Sequence, residues 1–441
     1  MSLLRLYRRN LRSPSPAWGI SPGPGGPPAT QDAAWRCAQE IVAGSAGAGN
    51  GERDAFAWLQ FFREADGGQW DLRVSREGKV LFEVQPAPKG EGRPKPAAVV
   101  PFRLSRFAYL RRLEETVLLA CPLADSRVLV HNAALLPSLF SPSPGGRGEA
   151  TEAESVFQQT LVAAGFQATA DEWPGAGSHP LGFWEFHDLV ALDAGYPGPL
   201  SGPVGGTYRF RGLREPLPLV RPSGGGRKIP LPEPDEQAGI RLRTPLVEVL
   251  EKRTSLRNYA GTSISLQDLG ALLHAAARVR SSACSAEKGP VSHRAAPSGG
   301  GLHALDVFPL VRLCDGLPAG LYGYDPQAHE LEVIPADGQA LERLAGWAGI
   351  GNEDSGFDPV PVLLLFAARF GRTAWKYEGL AYRLVQADLG CLEQTLYLTA
   401  AALGLAACAL GGAHPRLFES VTGLSRLEQP LLGGLALGRA R

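Results

Sequence analysis

Residues 361–369 read Pro-Val-Leu-Leu-Leu-Phe-Ala-Ala-Arg, a continuous apolar run. Such a run is typical of a strand that is buried on both faces of a sheet. Residues 379–403 follow, and their pattern predicts a long helix that is closed by Gly404. A buried strand beside a long helix indicates a layered domain with a sheet at its centre.

The elements around this pair are regular from residue 241 to the end of the chain. Ser265 and Asp268 have the spacing of a helix N-cap and its third residue, so a helix is predicted to start there. The other predicted elements are a helix ending over 246–253, a strand at 306–313, a hairpin at 320–334, a helix at 337–348, and strands at 405–410 and 431–437. We therefore expect an α+β domain over residues 241–441.

The first half of the chain holds much of its glycine and proline, which predicts loops and linkers. Strand candidates at 70–74 and 79–84, a hairpin around Glu114-Glu115, a strand at 126–132 and a helix at 152–165 interrupt it. The predicted organisation is a disordered segment 1–30, a small α+β module 31–100, a winged-helix-like module 101–175 and a Pro/Gly-rich connecting segment 176–240. From pattern alone, a generic α+β domain fits residues 101–175 equally well.

Composition limits the possible partners and cofactors. The 44 basic and 44 acidic residues give a formal charge of zero, so nothing in the charge favours nucleic acid or an anionic membrane. The six cysteines are scattered without a C-x-x-C pair, which argues against a metal site and a disulfide framework and fits the reducing cytoplasm. The N-terminus lacks the apolar segment of a secretory signal, so we expect a soluble cytoplasmic protein.

Two short motifs suggest ligand contacts. Arg253, Ser255 and Arg257 alternate after a predicted helix, so in an extended segment they project to one side, where two guanidinium groups suit a phosphate. Residues 296–303, Ala-Pro-Ser-Gly-Gly-Gly-Leu-His, allow close approach of a flat ligand. Taken alone, each motif fits a solvated turn or a flexible loop better. No strand followed by G-x-G-x-x-G and a helix is present, which argues against a Rossmann dinucleotide site.

Together with Trp375-Lys376-Tyr377 and residues 403–412, Leu-Gly-Leu-Ala-Ala-Cys-Ala-Leu-Gly-Gly, these motifs resemble the nitroreductase superfamily, specifically its SagB/McbC-type azoline dehydrogenases. Residues 104–111, 184–188 and 205–209 look like the N-terminal portion of the same type, so the resemblance spans about residues 101–438. It implies a nitroreductase-like FMN domain with a central mixed sheet flanked by helices, in a domain-intertwined homodimer. Small winged-helix-like modules would precede this domain.

The resemblance also implies which residues hold FMN. Those for the phosphate and ribityl chain are Arg253, Ser255 and Arg257, with Arg439 as a further phosphate contact. Pro297, Ser298 and Gly299 of the partner protomer would line the isoalloxazine, and Gly411 and Gly412 would offer backbone groups near its N5/O4 edge. Gln394 is a further cofactor-binding residue of the set.

The implied reaction is the aromatisation of a peptide thiazoline or oxazoline. It removes a proton from the α-carbon and a hydride from the ring, and the hydride needs an acceptor such as flavin. Within the family the Lys-Tyr pair handles the proton, so Lys376 is expected to be the base and Tyr377 its assistant. Without the family context, a lysine lying beside an aromatic ring is the more common interpretation. Dioxygen is expected to reoxidise the flavin.

The implied partners are an azoline-containing precursor peptide and a cyclodehydratase complex, with the N-terminal modules contacting the peptide leader or the partner enzyme. Two other functions remain open from the sequence. One is an NAD(P)H-dependent flavin reductase that acts on nitro compounds or quinones. The other is a non-catalytic scaffold of a biosynthetic complex. The Lys-Tyr pair and the long N-terminal extension favour the dehydrogenase.

Overall fold

The computed structural model describes residues 18–22, 72–76, 79–86, 102–124, 126–140, 151–173, 179–196, 203–347 and 360–441. They belong to two compact units, one up to residue 203 and one from residue 204. Most of the segment predicted to be disordered, 1–30, lies outside the described residues. No helix among the described ranges is long and apolar enough to cross a bilayer.

The N-terminal unit is built on one antiparallel sheet. Its strands are β1 (Trp18–Pro22), β2 (Leu72–Arg76), β3 (Lys79–Pro86), β4 (Tyr109–Leu113), β5 (Thr116–Ala120) and β6 (Ser126–Val130), in the order β1-β2-β3-β6-β5-β4. Helices α1 (Glu152–Ala163) and α2 (Phe186–Ala194) complete it. Its core contains the fully buried rings of Phe82, Phe107, Phe157 and Phe166.

The hairpin predicted around Glu114-Glu115 is confirmed, since β4 and β5 pair there and Glu114 takes a positive φ of 53°. The boundary predicted at residue 100 falls inside the sheet, because β3 pairs with β6 across it. The strands of both predicted modules therefore share one sheet and one core. A Pro/Gly-rich stretch marks either a loop within a domain or a linker between domains. Composition therefore did not decide whether residues 31–100 and 101–175 form two modules or share one sheet.

The C-terminal unit is built on a seven-stranded sheet in the order β16-β17-β15-β11-β13-β14-β7. Its strands are β7 (Lys228–Pro230), β11 (Leu305–Val311), β13 (Gly320–Asp325), β14 (Glu330–Ile334), β15 (Val362–Ala368), β16 (Ala406–Leu410) and β17 (Leu431–Gly438). Smaller pairs are β9 (Ser281–Ser285) with β10 (Gly289–His293), and β8 (Ile264–Ser265) with β12 (Cys314–Asp315). Its helices are α3 (Glu236–Arg241), α4 (Leu246–Lys252), α5 (Leu266–Ala276), α6 (Gly338–Trp347), α7 (Phe370–Lys376), α8 (Ala381–Ala402) and α9 (Pro415–Thr422).

The run that predicts a buried strand forms β15, in which every residue is buried. Side chains alternate along it: Leu364 and Phe366 pack with α5 and α8, whereas Leu363 and Leu365 pack with α6 and α9. The sheet thus lies between two helical layers, which confirms the predicted α+β class. All seven strands of this sheet pair antiparallel, whereas a mixed sheet was expected. The mixed sheet was an implication of the family resemblance, and the apolar pattern of these strands carries no information about their direction.

The long helix is confirmed as α8, and Gly404 follows it with a φ of 69°. The cap at Ser265 is also confirmed, since its hydroxyl accepts the Asp268 N–H at 3.0 Å. The elements that were not predicted include the short helices α3 and α7, the strand β7, and the strand pairs β8–β12 and β9–β10.

Candidate active site

Lys376 and Tyr377 lie where α7 ends. Lys376 is the last residue of α7, and Tyr377 caps it by donating its N–H to the Thr373 carbonyl at 2.8 Å. A cation at a helix C-terminus interacts favourably with the helix dipole. Both side chains are half-buried. The preceding buried Trp375 fixes this end of α7, because its indole N–H donates to the Arg214 carbonyl at 2.7 Å.

The glycine-rich loop lies directly against these two residues. Gly300 sits in a single 3-10 turn, Gly299–Gly301, with a φ of 66°. A Cβ added to Gly300 would lie 2.7 Å from Lys376 Nζ and 2.8 Å from Tyr377 Oη. The structure therefore brings the predicted catalytic pair and the predicted isoalloxazine loop together within one chain.

Asp388 of α8 holds the loop. Its carboxylate accepts the Ser298 hydroxyl at 2.6 Å and the Gly299 N–H at 2.9 Å. The Ser298 oxygen in turn accepts the His303 N–H at 2.9 Å. Burial raises the pKa of Asp388, and the two hydrogen bonds partly oppose that rise. Sequence reasoning assigned Asp388 no role, because α8 carries several polar and charged residues and the pattern does not single this one out.

The first residues of the C-terminal unit lie alongside the predicted catalytic pair, Lys376 and Tyr377. Gly205 and Glu378 exchange backbone hydrogen bonds of 3.0 and 2.9 Å, and the Tyr208 N–H donates to the Lys376 carbonyl at 3.1 Å. The Glu378 carboxylate accepts the Thr207 hydroxyl at 2.9 Å. Residues 205–209, part of the predicted connecting segment, thus form one wall of the candidate site.

Two buried arginines, Arg369 and Arg372, hold residues 217–219 of the predicted connecting segment by hydrogen bonds. Arg372 donates to the carbonyls of Leu217, Pro218, Pro290 and Leu302 at 2.6 to 2.9 Å. Arg369 pairs with Asp306 at 2.9 Å and donates to the carbonyls of Pro218 and Leu219 at 2.6 and 2.8 Å. Because Leu302 closes the glycine-rich loop, Arg372 connects that loop to α7 and to the connecting segment.

The predicted phosphate-binding residues lie elsewhere in the unit, next to β16. Leu256 donates its N–H to the Ala407 carbonyl at 3.0 Å, and Tyr259 forms a bridge with Ala440. These contacts bring residues 253–259 beside β16 and the last residues of the chain. The strand β16 leads directly to Gly411 and Gly412, which are exposed, and a Cβ on Gly411 would meet no atom within 4 Å.

Tyr397 of α8 joins these segments. Its hydroxyl is 3.0 Å from the Ser255 hydroxyl and accepts the Ala409 N–H at 2.5 Å. The Arg253 guanidinium lies 5.6 Å from the centre of its ring. A cavity opens here, lined by Lys252, Arg253, Thr254, Leu256, Tyr397, Ala401, Gly404, Leu405, Ala407 and Ala440. Sequence reasoning did not single out Tyr397, whose side chain organises this part of the site.

Arg439 forms an ion pair with Asp268 at 2.8 Å, and Asp268 also pairs with Arg241 at 2.9 Å. Burial acts to raise the pKa of Asp268, but hydrogen bonds from Ser265 and Arg241 outweigh it and lower the pKa. Gln394 is exposed on α8. For Arg439 and Gln394, the contacts to a cofactor stay predictions.

Burial shifts the pKa values of two titratable groups near these segments, His303 and Glu393. Burial and the nearby Arg294 hold the pKa of His303 at about 4, so His303 is neutral at physiological pH. Burial raises the pKa of Glu393, on α8, to about 7. Its carboxylate lies 3.3 Å from the position that a Cβ on Gly433 would take.

Comparison with known proteins gives matches to both units. Residues 250–439 match the model of the nitroreductase family, and residues 102–191 match the model of the cyanobactin oxidase ThcOx. A protein of Methanocaldococcus jannaschii described as a nitroreductase is 29% identical over 209 residues, which cover 47% of this chain and 95% of the relative.

Two further matches are shorter or more distant. The trifolitoxin-processing protein TfxB of Rhizobium leguminosarum bv. trifolii is 31% identical over 114 residues, which cover 25% of this chain and 30% of TfxB. The crystal structure of a nitroreductase-type protein from Ralstonia eutropha is 29% identical and matches with a TM-score of 0.37, over 52% of this chain and 97% of that one.

Proposed function

We propose, from the premise that this chain belongs to the nitroreductase superfamily and is of its SagB/McbC type, that it oxidises peptide azolines to thiazoles or oxazoles with FMN as cofactor. Such a reaction completes heterocycles in ribosomally made peptide natural products. The observation that carries the proposal is the position of Lys376 and Tyr377 against Gly300, in the loop expected to line the flavin.

The arrangement around Tyr397 supports FMN as the cofactor. Arg253, Ser255 and Arg257 would bind its phosphate and ribityl chain, because guanidinium forks and a hydroxyl match phosphate oxygens. The cavity beside Arg253 and the open space at Gly411 leave room for such a group. Tyr397 links Ser255 to Ala409, which lies two residues before Gly411. When bound, FMN supplies a hydride acceptor that no side chain provides.

The protein's own residues would handle the proton. Lys376 would accept the proton from the α-carbon of the azoline, and Tyr377 would assist it by hydrogen bonding. Gly300 allows the ring of the substrate to approach both groups because it has no side chain there. Residues 205–209 would shield the same space from water on one side.

Partners follow from the same premise. TfxB is a processing protein for trifolitoxin, and by analogy the substrate of this chain would be a precursor peptide bearing azolines. A cyclodehydratase must act earlier, since it forms the azoline ring. The N-terminal unit, which carries the match to the cyanobactin oxidase, would contact the peptide leader or that enzyme, and two protomers would form the dimer. The free thiols among the described residues of the chain, which include Cys121, Cys284 and Cys408, fit the cytoplasm.

The test is a substrate comparison with the wild-type chain. The purified protein, loaded with FMN, is given an azoline-bearing peptide and dioxygen without NAD(P)H, and the peptide is followed by mass spectrometry. We expect the loss of two hydrogens per ring. Turnover of NADPH with quinones or nitro compounds, but never of azolines, would identify a flavin reductase instead. A colourless protein that takes up no flavin would identify a scaffold.

A further inference from the structure

Tyr208 lies beside the catalytic pair in a strained backbone conformation. Its φ is 54°, in the left-handed region that side chains other than Gly, Asn and Asp rarely adopt. The conformation is held where the Tyr208 N–H donates to the Lys376 carbonyl at 3.1 Å. Strain of this kind is retained where the surroundings fix it, and it is most frequent at functional sites.

In this backbone conformation the aromatic ring of Tyr208 lies next to Lys376. The Tyr208 ring meets the buried Trp375 edge to face, with centroids 5.6 Å apart. Lys376 Nζ lies 5.7 Å from the centre of the Tyr208 ring, within the range of a cation–π interaction. The Arg211 guanidinium also lies 4.4 Å from the centre of this ring.

Lys376 needs such a contact because its side chain has four rotatable bonds and carries large rotamer entropy. On one side, Gly300 and Tyr377 limit its amine through the close approach of the loop. The Tyr208 ring, half-buried and fixed by Trp375, supplies a contact from a different part of the chain.

We propose that Tyr208 is a positioning residue, which acts by holding the Lys376 amine next to Gly300 through its ring. The assignment rests on the proposed function for its catalytic meaning, although the contact itself does not depend on any substrate. Because the aromatic ring of Tyr208 makes the contact, Tyr208→Phe should keep the positioning of Lys376, whereas Tyr208→Leu should lose it.

The first measurement is chemical labelling of Lys376, which needs no azoline. The FMN-loaded wild-type protein and the Tyr208→Phe, Tyr208→Leu and Tyr208→Gly variants are acetylated with a limiting reagent, and Lys376 modification is quantified by peptide mass mapping. Losing the ring should raise the labelling rate about two- to five-fold, the factor for one exposed cation–π contact. Tyr208→Phe should match wild type. Tyr208→Gly removes the ring in a residue that tolerates the positive φ, which separates the loss of the ring from backbone strain.

The second measurement is azoline oxidation by the same proteins. Tyr208→Leu and Tyr208→Gly should lower kcat about ten-fold with KM changed by less than two-fold, because the base is misplaced and not the substrate. The isotope effect on kcat with α-deuterated substrate should rise in both variants, and Tyr208→Phe should restore wild-type values.

Each result decides one question. Equal Lys376 labelling in wild type and both variants without the ring would overturn the positioning role, whatever the substrate is. If Lys376 labelling rises in Tyr208→Leu and Tyr208→Gly but the wild-type protein never oxidises azolines, the positioning role of Tyr208 is retained and the proposed function is rejected.

Discussion

A side chain at Gly300 would collide with both members of the proposed catalytic pair, Lys376 and Tyr377. An ideal Cβ there lies 2.7 Å from Lys376 Nζ and 2.8 Å from Tyr377 Oη, and the φ of 66° disfavours any side chain independently. The sequence indicated that this loop permits the close approach of another group, and the family resemblance independently named Lys376 and Tyr377 as the catalytic pair. The sequence did not show that the approaching groups are these two residues.

Replacing Gly300 with alanine tests this contact. We expect the free energy of unfolding to fall by about 1–2 kcal/mol, from the positive φ, and azoline oxidation to fall by at least about ten-fold, from displacement of the amine. Gly338→Ala is the control, because a Cβ on Gly338 meets no atom within 4 Å and Gly338 lies in a helix. Thermal denaturation and the peptide oxidation assay give the two quantities. If both variants behaved like wild type, the packing of Gly300 against Lys376 would be contradicted.

Among the elements, α8 connects the two parts of the candidate site. Asp388 holds the glycine-rich loop and Tyr397 contacts Ser255, and nine residues of helix place them about 14 Å apart along its axis. The sequence predicted α8 because its periodicity is local and its end is marked by Gly404. It did not predict what Asp388 and Tyr397 bind, since those partners come from distant segments. The helix α7 was missed because its seven residues are too short to establish a period.

Arg372 offers a test at the level of elements. It is 2% exposed, and its guanidinium donates to four carbonyls from three segments. Burial lowers its pKa only to about 10, so it stays charged at neutral pH. Arg372→Lys should lower the free energy of unfolding by about 2–4 kcal/mol, because an ammonium cannot reproduce the fork that reaches these carbonyls. The exposed Arg416→Lys should change it by less than about 0.5 kcal/mol. Equal melting temperatures for the two variants would contradict the anchoring role.

For the whole molecule, the two units have separate cores, and the proposed catalytic residues lie in the second unit. Sequence patterns predicted the class of this unit and most of its strands and helices. They did not predict that residues 205–222 belong to it, because a Pro/Gly-rich stretch has no periodicity and is held only by distant groups such as Arg369 and Arg372.

The proposed flavin binding would involve this whole unit and the expected dimer. Replacing both Arg253 and Arg257 with alanine should weaken FMN binding by at least about two decades, since each charge-assisted contact contributes about 1.5–3 kcal/mol. Flavin absorbance after gel filtration measures the loss, with Arg416→Ala as the matched control. Because the glycine-rich loop is expected to serve the partner's flavin, sedimentation should show a weaker dimer when FMN is lost. Full retention of FMN by the double variant would contradict the assigned phosphate site.

Proton removal by Lys376 is the central claim, and one measurement tests it most directly: azoline oxidation by Lys376→Ala, with Tyr377→Phe alongside. The Lys376→Ala protein should keep its fold and flavin and should be reduced normally by dithionite. It should oxidise the azoline peptide about 10²–10⁴-fold more slowly, the range for losing a general base. Tyr377→Phe should lose less, because its ring remains. Oxidation by Lys376→Ala at a rate near that of wild type would contradict the claim.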